Sequence, residues 1–293
     1  MTASMLILGF GYAGRAIAAE ALRAGFAVSG TARNPAKARV PEGATLLPFD
    51  EAGAAIRAAT HLVITAGPGA EGDPVLARYR DDVTQAAGLR WVGYMSTTGV
   101  YGDRQGGWVD ETAAPAPAQE RSVRRLEAEQ AWQALLAPMG VALDLFRTAG
   151  IYGPGRNMLE EARQGTARRV IKPGHTFSRI HVEDIGRAVV AAALRPDGDR
   201  VLHLADDEPA EGAAVAVEAA RLVGVPPPPG VPFETALATM SAMGRSFWAE
   251  DRKVASARTQ AALGLRWRYP TYREGLAALH QAEQAGEGLV QQG

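Results

Sequence analysis

Two stretches near the N-terminus carry residue types that could hold a phosphorylated ligand. Gly9-Phe10-Gly11-Tyr12-Ala13-Gly14 follows the apolar run Met5–Leu8 and opens a helical pattern, Gly14–Ala24. With this spacing the first glycine makes a tight bend, the second lets the backbone approach a pyrophosphate, and the third lets helix and strand pack closely. The helix N-terminus behind the turn offers unpaired N–H groups and the positive end of its dipole, with Tyr12 and Ala13 beside the phosphates. At the end of the next apolar run the chain reads Ser29-Gly30-Thr31-Ala32-Arg33-Asn34-Pro35. Sites that select NAD usually place Asp or Glu about 20 residues past the glycines, for the ribose 2′-hydroxyl. Here the nearest carboxylate is Glu42, and Arg33, with Thr31 and Lys37, would meet a 2′-phosphate by charge-assisted hydrogen bonds. The expected cofactor is therefore NADP(H) in preference to NAD(H).

Such a turn needs a sheet behind it. Short apolar runs at Met5–Leu8, Ala27–Gly30, Thr45–Phe49, His61–Thr65, Trp91–Ser96 and Ala142–Phe146 predict strands. Helical patterns at Gly14–Ala24, Ala52–Ala59, Pro74–Ala87 and Arg121–Ala137 lie between them. This alternation predicts an α/β fold, a Rossmann-like doubly wound parallel sheet with right-handed crossovers. Past about residue 205 the pattern changes to helix-like stretches around a Pro-rich turn, Val225–Pro232. An irregular segment, Arg245–Ser256, then leads to a last helix from about Tyr272. In such sheets ligands sit at the carboxyl ends of the strands, which places Gly67 near the ribose and Asp50 near the adenine.

Composition excludes several classes. The 293 residues are 47% hydrophobic and 22% charged, with a formal net charge of −1. Nothing in that balance favours nucleic acid or an acidic membrane. The chain has no cysteine, which removes disulfides, thiolate metal sites and cysteine nucleophiles. No signal peptide or spanning segment is expected, so the location expected is cytoplasmic. The five histidines show no paired spacing, and no metal site is expected. The basic residues are 28 arginines and only three lysines, Lys37, Lys172 and Lys253.

Further along, Tyr94-Met-Ser96-Thr97-Thr-Gly-Val-Tyr101-Gly-Asp103 and Trp108-Val-Asp110-Glu111 precede Phe146-Arg147-Thr-Ala-Gly-Ile-Tyr152-Gly-Pro154-Gly-Arg156-Asn157. Arg179-Ile-His181-Val-Glu183-Asp184-Ile-Gly and Leu204-Ala-Asp206-Asp207-Glu208-Pro209 follow. The tail holds Leu263-Gly-Leu-Arg-Trp267 and Tyr269-Pro-Thr-Tyr-Arg-Glu-Gly275. In order and spacing, most of residues 5 to 210 resemble extended short-chain dehydrogenases/reductases. The tail resembles an atypical, NAD-dependent epimerase/dehydratase-like subgroup.

The resemblance implies a Tyr-x-x-x-Lys pair on the helix after the fifth strand, with a Ser or Thr at the strand's end. Thr97 and Ser96 stand at that end, but the tyrosine and lysine positions fall on Arg121 and Arg125. The residues four before the three lysines are Arg33, Arg168 and Ala249, so the pair occurs nowhere in the chain. Arg125 could still hold the nicotinamide ribose, whereas Arg121 cannot act as acid or base. Tyr101, Tyr152, Asp103, Asp110 and His181 remain as proton donors or acceptors, and each also has a structural role open to it. Arg121, Arg147, Arg156 and Arg179 could bind an anionic substrate.

The expected organisation is a dinucleotide domain of 1–153 with a return segment of 178–206. A smaller substrate portion of 154–177 and 207–293 would cover the nicotinamide end. Two functions stay open: an NAD(P)-dependent oxidoreductase or epimerase/dehydratase acting on a small polar or sugar-nucleotide substrate, and a non-catalytic NADP(H)-binding sensor. The resemblance is compatible with a homodimer.

Overall fold

Apolar residues without alternation make strands that need cover on both faces, and the chain supplies helices for each. The computed structural model describes residues 3–35 and 39–286. Its strands are β1 (Ser4–Leu8), β2 (Ala27–Ala32), β3 (Thr45–Pro48), β4 (His61–Ile64), β5 (Trp91–Thr97), β6 (Trp108–Val109), β7 (Ala142–Thr148), β8 (Gly150–Tyr152), β9 (Arg169–Ile171), β10 (Arg179–His181), β11 (Arg200–Leu204), β12 (Gly230–Pro232) and β13 (Lys253–Val254). Seven of them form one parallel sheet in the order β11-β7-β5-β4-β1-β2-β3. The order reverses between β1 and β4, which opens a crevice at their carboxyl ends. The other six strands form three short parallel pairs, β8 with β10, β9 with β12, and β6 with β13.

The helices are α1 (Tyr12–Arg23), α2 (Gly53–Ala58), α3 (Pro74–Thr84), α4 (Glu120–Leu136), α5 (Met158–Arg163), α6 (Val182–Ala193), α7 (Gly212–Val223), α8 (Phe233–Thr239), α9 (Ala242–Trp248), α10 (Ala257–Leu263) and α11 (Tyr272–Gln284). Ile17 and Ala21 of α1 and Ile185 and Val189 of α6 pack with Met5, Ile7 and Phe146 in one apolar cluster. Ile56 of α2, Val75 and Val83 of α3, and Trp132 of α4 pack with Leu6, Leu8 and Leu62 in the other. Along β1 successive side chains thus feed opposite layers, as the strand period requires. A third cluster joins Tyr152 and Leu159 to Val215 of α7 and to Tyr272 and Leu276 of α11.

Two sequence expectations are corrected. Arg245–Ser256 is not irregular throughout: it contains the end of α9, capped by Ser241, and β13, which pairs with β6. The Pro-rich turn ends in β12 (Gly230–Pro232), where the chain runs beside β9. Among the described residues, no helix is long and apolar enough to cross a membrane.

Candidate functional site

The glycine turn joins β1 to α1, and its three glycines meet different surroundings. Gly9 has φ +104°, and a Cβ there would lie 2.7 Å from Thr65 Oγ1 and 2.8 Å from the Ala66 nitrogen. Gly14 is pressed against the turn, its position for a Cβ being 3.0 Å from the Gly9 oxygen and 3.3 Å from Ile7 Cγ2. Gly11 differs: a Cβ there meets nothing within 4 Å. It is the N-cap of α1 and no side chain bonds the helix's first N–H groups. Open space before an uncapped helix N-terminus is the cradle that a pyrophosphate fits. Ala13 is partly buried against the core, and the Tyr12 hydroxyl donates to the Pro154 carbonyl at 3.0 Å, tying this turn to the Tyr152–Arg156 stretch.

At the end of β2, Arg33 is exposed and makes no ion pair among the described residues. Thr31 does not join it. Its side chain is fully buried and accepts the Gly9 N–H at 3.1 Å, so it holds the turn and cannot reach a 2′-phosphate. Lys37 lies outside the described residues. Asp50 follows β3, exposed, with Oδ1 3.4 Å from Arg78 Nε. Gly67 follows β4 and leaves room for Arg125, whose Nη2 would be 2.8 Å from a Cβ there. Arg125 Nη1 donates to the Met95 carbonyl of β5 at 2.7 Å, so this guanidinium is held by β5 beside the loop that follows β4.

Beside these residues, a cavity of about 600 Å³ opens at the carboxyl ends of β5 and β7. Thr97 lines it and caps the following turn by accepting the Gly99 N–H at 3.1 Å. Ser96 also lines it, but its hydroxyl donates to the buried Glu129 of α4. Glu129 in turn pairs with Arg147, Oε2 to Nη2 at 2.7 Å. Arg147 Nη1 donates to the Tyr101 hydroxyl at 2.9 Å, and Tyr101 donates to His203 Nε2 at 2.5 Å. His203 Nδ1 completes the chain by donating to the Ala255 carbonyl at 2.7 Å.

Several proposed roles change on this geometry. Tyr101 is fully buried, bonds Arg147 and His203, and is not among the residues lining the cavity, and burial pushes its pKa up. Arg147 is likewise committed to Glu129 and Tyr101 and is not an anion-binding group. Tyr152 lines the cavity, but burial, with Asp206 and Asp184 adding to it, raises its pKa too. Its hydroxyl sits 3.5 Å from the Thr271 carbonyl, in space left by Gly275. His181 is buried, caps α6 by accepting the Glu183 N–H at 3.3 Å, and has its pKa lowered to about 4 by burial and by Arg268. It is therefore neutral near pH 7. Asp103 accepts backbone N–H groups of Asp251 and Gln105, and Asp110 accepts from Thr112. Arg121, Arg125, Arg156 and Arg179 do line the cavity. Among the described residues no cluster of three metal-ligating side chains occurs. Sequence reasoning missed Glu129 and His203, whose partners come from remote segments, and Glu250 and Arg252, which lie in the stretch read as irregular.

No family model matches the chain. Two curated relatives are 32% identical. They are the 3-diazoavenalumate denitrifying reductase of a Streptomyces species, over 56% of this chain and 54% of that protein, and protein YeeZ of Escherichia coli K12, over 46% and 47%. The chain thus spans about half the length of the curated relatives it matches. Among solved structures, Thermus thermophilus UDP-glucose 4-epimerase in complex with NAD superposes with a TM-score of 0.74 at 18% identity, covering 96% of this chain and 99% of that one. Human epimerase family protein SDR39U1 with NADPH gives 0.71 at 16% identity, covering 94% and 99%. A functionally unknown conserved protein of Silicibacter pomeroyi is 43% identical, with a TM-score of 0.86, over 97% of this chain and all of that one. The chain belongs to the family of that Silicibacter protein, and its fold is that of the atypical extended short-chain dehydrogenases/reductases of epimerase/dehydratase type.

Proposed function

We propose that the protein is an NADP(H)-dependent oxidoreductase, or an epimerase/dehydratase-like enzyme, acting on a small polar anion, a sugar nucleotide being one such class. The observation that carries this is the open cradle at Gly11 before the uncapped start of α1, near a cavity lined in part by arginines. A nicotinamide bound there supplies or takes a hydride. Gly9 and Gly14 would shape the pyrophosphate turn, Arg125 would hold the nicotinamide ribose beside Gly67, and Asp50 would lie toward the adenine. Arg33, with no carboxylate beside it, would meet a 2′-phosphate. In this reading residues 1–153 and 178–206 hold the dinucleotide, and 154–177 and 207–293 cover its nicotinamide end. The NAD and NADPH bound by the Thermus and human proteins, and the reductase named among the relatives, agree with it.

A non-catalytic sensor is favoured by one feature: Arg121 stands where the family's tyrosine acid/base is expected, stacked at 4.5 Å on Phe247. Titration of the protein with NADPH and NADH tests the cofactor choice. NADPH should bind about tenfold or more tightly, and Arg33→Ala should remove most of that preference. Equal affinities unchanged by the substitution contradict it. NADPH consumption across carbonyl and sugar-nucleotide substrates separates the two functions, since tight NADPH binding without turnover on any of them selects the sensor.

A further inference from the structure

One wall of the cavity, built by residues 176–178 and 250–254, presents polar groups with nothing to bond. Glu250 is the only acidic side chain lining the cavity among the described residues, and its side chain is 8% exposed. Its Oε2 accepts from Arg252 Nη1 at 2.8 Å, while Oε1 is buried without a partner. Arg252 Nε and Thr176 Oγ1, from the same lining, are also buried without partners. The wall is firmly built. Arg252 Nη1 donates to the Gly102 carbonyl at 2.9 Å, and the Asp251 N–H to Asp103 Oδ1 at 2.8 Å. A buried acceptor left unpaired has lost its hydration without return, and a ligand that supplies a donor recovers that loss. Elsewhere on the lining, Arg121 and Arg156 carry cationic groups, and neither has an ion-pair partner among the described residues.

We propose that the cavity binds an organic anion that carries a hydroxyl group, Arg121 and Arg156 taking the anion and Glu250 accepting the hydroxyl's hydrogen while Arg252 or Thr176 donates to its oxygen. This rests on the reading that the cavity takes an anionic substrate, and narrows it to hydroxylated anions. Glu250 is then a specificity-determining residue, and Arg252 positions it.

Calorimetric titration of the full chain, with and without NADPH, against two probe pairs tests it: 4-hydroxycinnamate with 4-methoxycinnamate, and glucose 1-phosphate with methyl phosphate. The hydroxylated member of at least one pair should bind about tenfold or more tightly. Glu250→Gln and Thr176→Val should each shrink that ratio toward one, with NADPH affinity and melting temperature retained. Arg156→Gln should weaken both members. Equal binding within both pairs, a ratio unchanged by Glu250→Gln, or no binding of any probe overturns the proposal. A hydroxyl preference that persists in a protein unable to bind NADPH would defeat the dinucleotide reading and leave this one standing.

Discussion

Tyr101 carries the side chain that the missing tyrosine would have supplied, yet its surroundings spend it on structure. Its hydroxyl joins Arg147 to His203 in a buried chain that begins at Ser96, in the cavity wall. Tyr101→Phe should lower stability by about 1–3 kcal/mol, because it leaves Arg147 Nη1 and His203 Nε2 unpaired in the interior. NADPH affinity should stay within about twofold. Lost turnover with an unchanged melting temperature would return Tyr101 to the catalytic set. Asp206 makes the opposite case. It is buried with both carboxyl oxygens unpartnered, and burial, offset in part by Arg179, raises its pKa to about 8. An unfolded Asp ionises near 4, roughly. Between those values the folded chain holds a proton that the unfolded chain releases. The stability this group contributes is therefore full below about pH 4 and lost as pH rises toward 8. Asp206→Asn should raise the melting temperature by a few degrees at pH 8, an effect of roughly 1–3 kcal/mol, and leave it nearly unchanged at pH 4. An equal gain at both pH values contradicts the assignment.

Among the elements, β1, the glycine turn and α1 were legible because backbone geometry demands particular residues there. Six of the seven strands of the sheet were legible because their apolar runs stand out, whereas the edge strand β11 (Arg200–Leu204), with Arg200 and His203 in it, was not among the predicted strands. The pairs β6 with β13 and β9 with β12 were not: two- and three-residue strands carry no periodicity, and their partners are about 145 and 60 residues away in sequence. For the same reason the cavity wall at Glu250 left no local signal, whereas Thr97 and Arg125 could be placed by spacing. Gly11 and Gly14 separate packing from ligand binding within one element. Gly14→Ala forces a Cβ to within 3.0 Å of the Gly9 carbonyl and should destabilise the chain by about 1–3 kcal/mol. Gly11 has φ −90° and open space before it, so Gly11→Ala should melt within a degree or two of the wild type. A large loss at Gly11 in thermal melts would mean that this position is a packing site.

At the scale of the molecule, the sheet supplies two fully buried layers, while α8 and α9 are held lightly. Only Ala236 of α8 is buried, no residue of α9 is, and Met243 and Phe247 are exposed. Amide hydrogen exchange should therefore be fast in Phe233–Trp248 and slowest in β1, β4, β5 and β7. Protection of α9 equal to that of β5 would contradict this picture of a rigid sheet under a loosely packed cover. The crevice between β1 and β4 places the glycine turn at the reversal of strand order, and the proposed cofactor chemistry depends on a dinucleotide lying across it. The most direct measurement is NADPH binding to wild type and to Gly11→Ala, followed by fluorescence on samples whose melting temperatures are matched. The prediction is saturable binding to the wild type and a loss of about tenfold or more in Gly11→Ala, because the added methyl fills the pyrophosphate cradle. Binding that is absent in the wild type, or unchanged by the methyl, would contradict it.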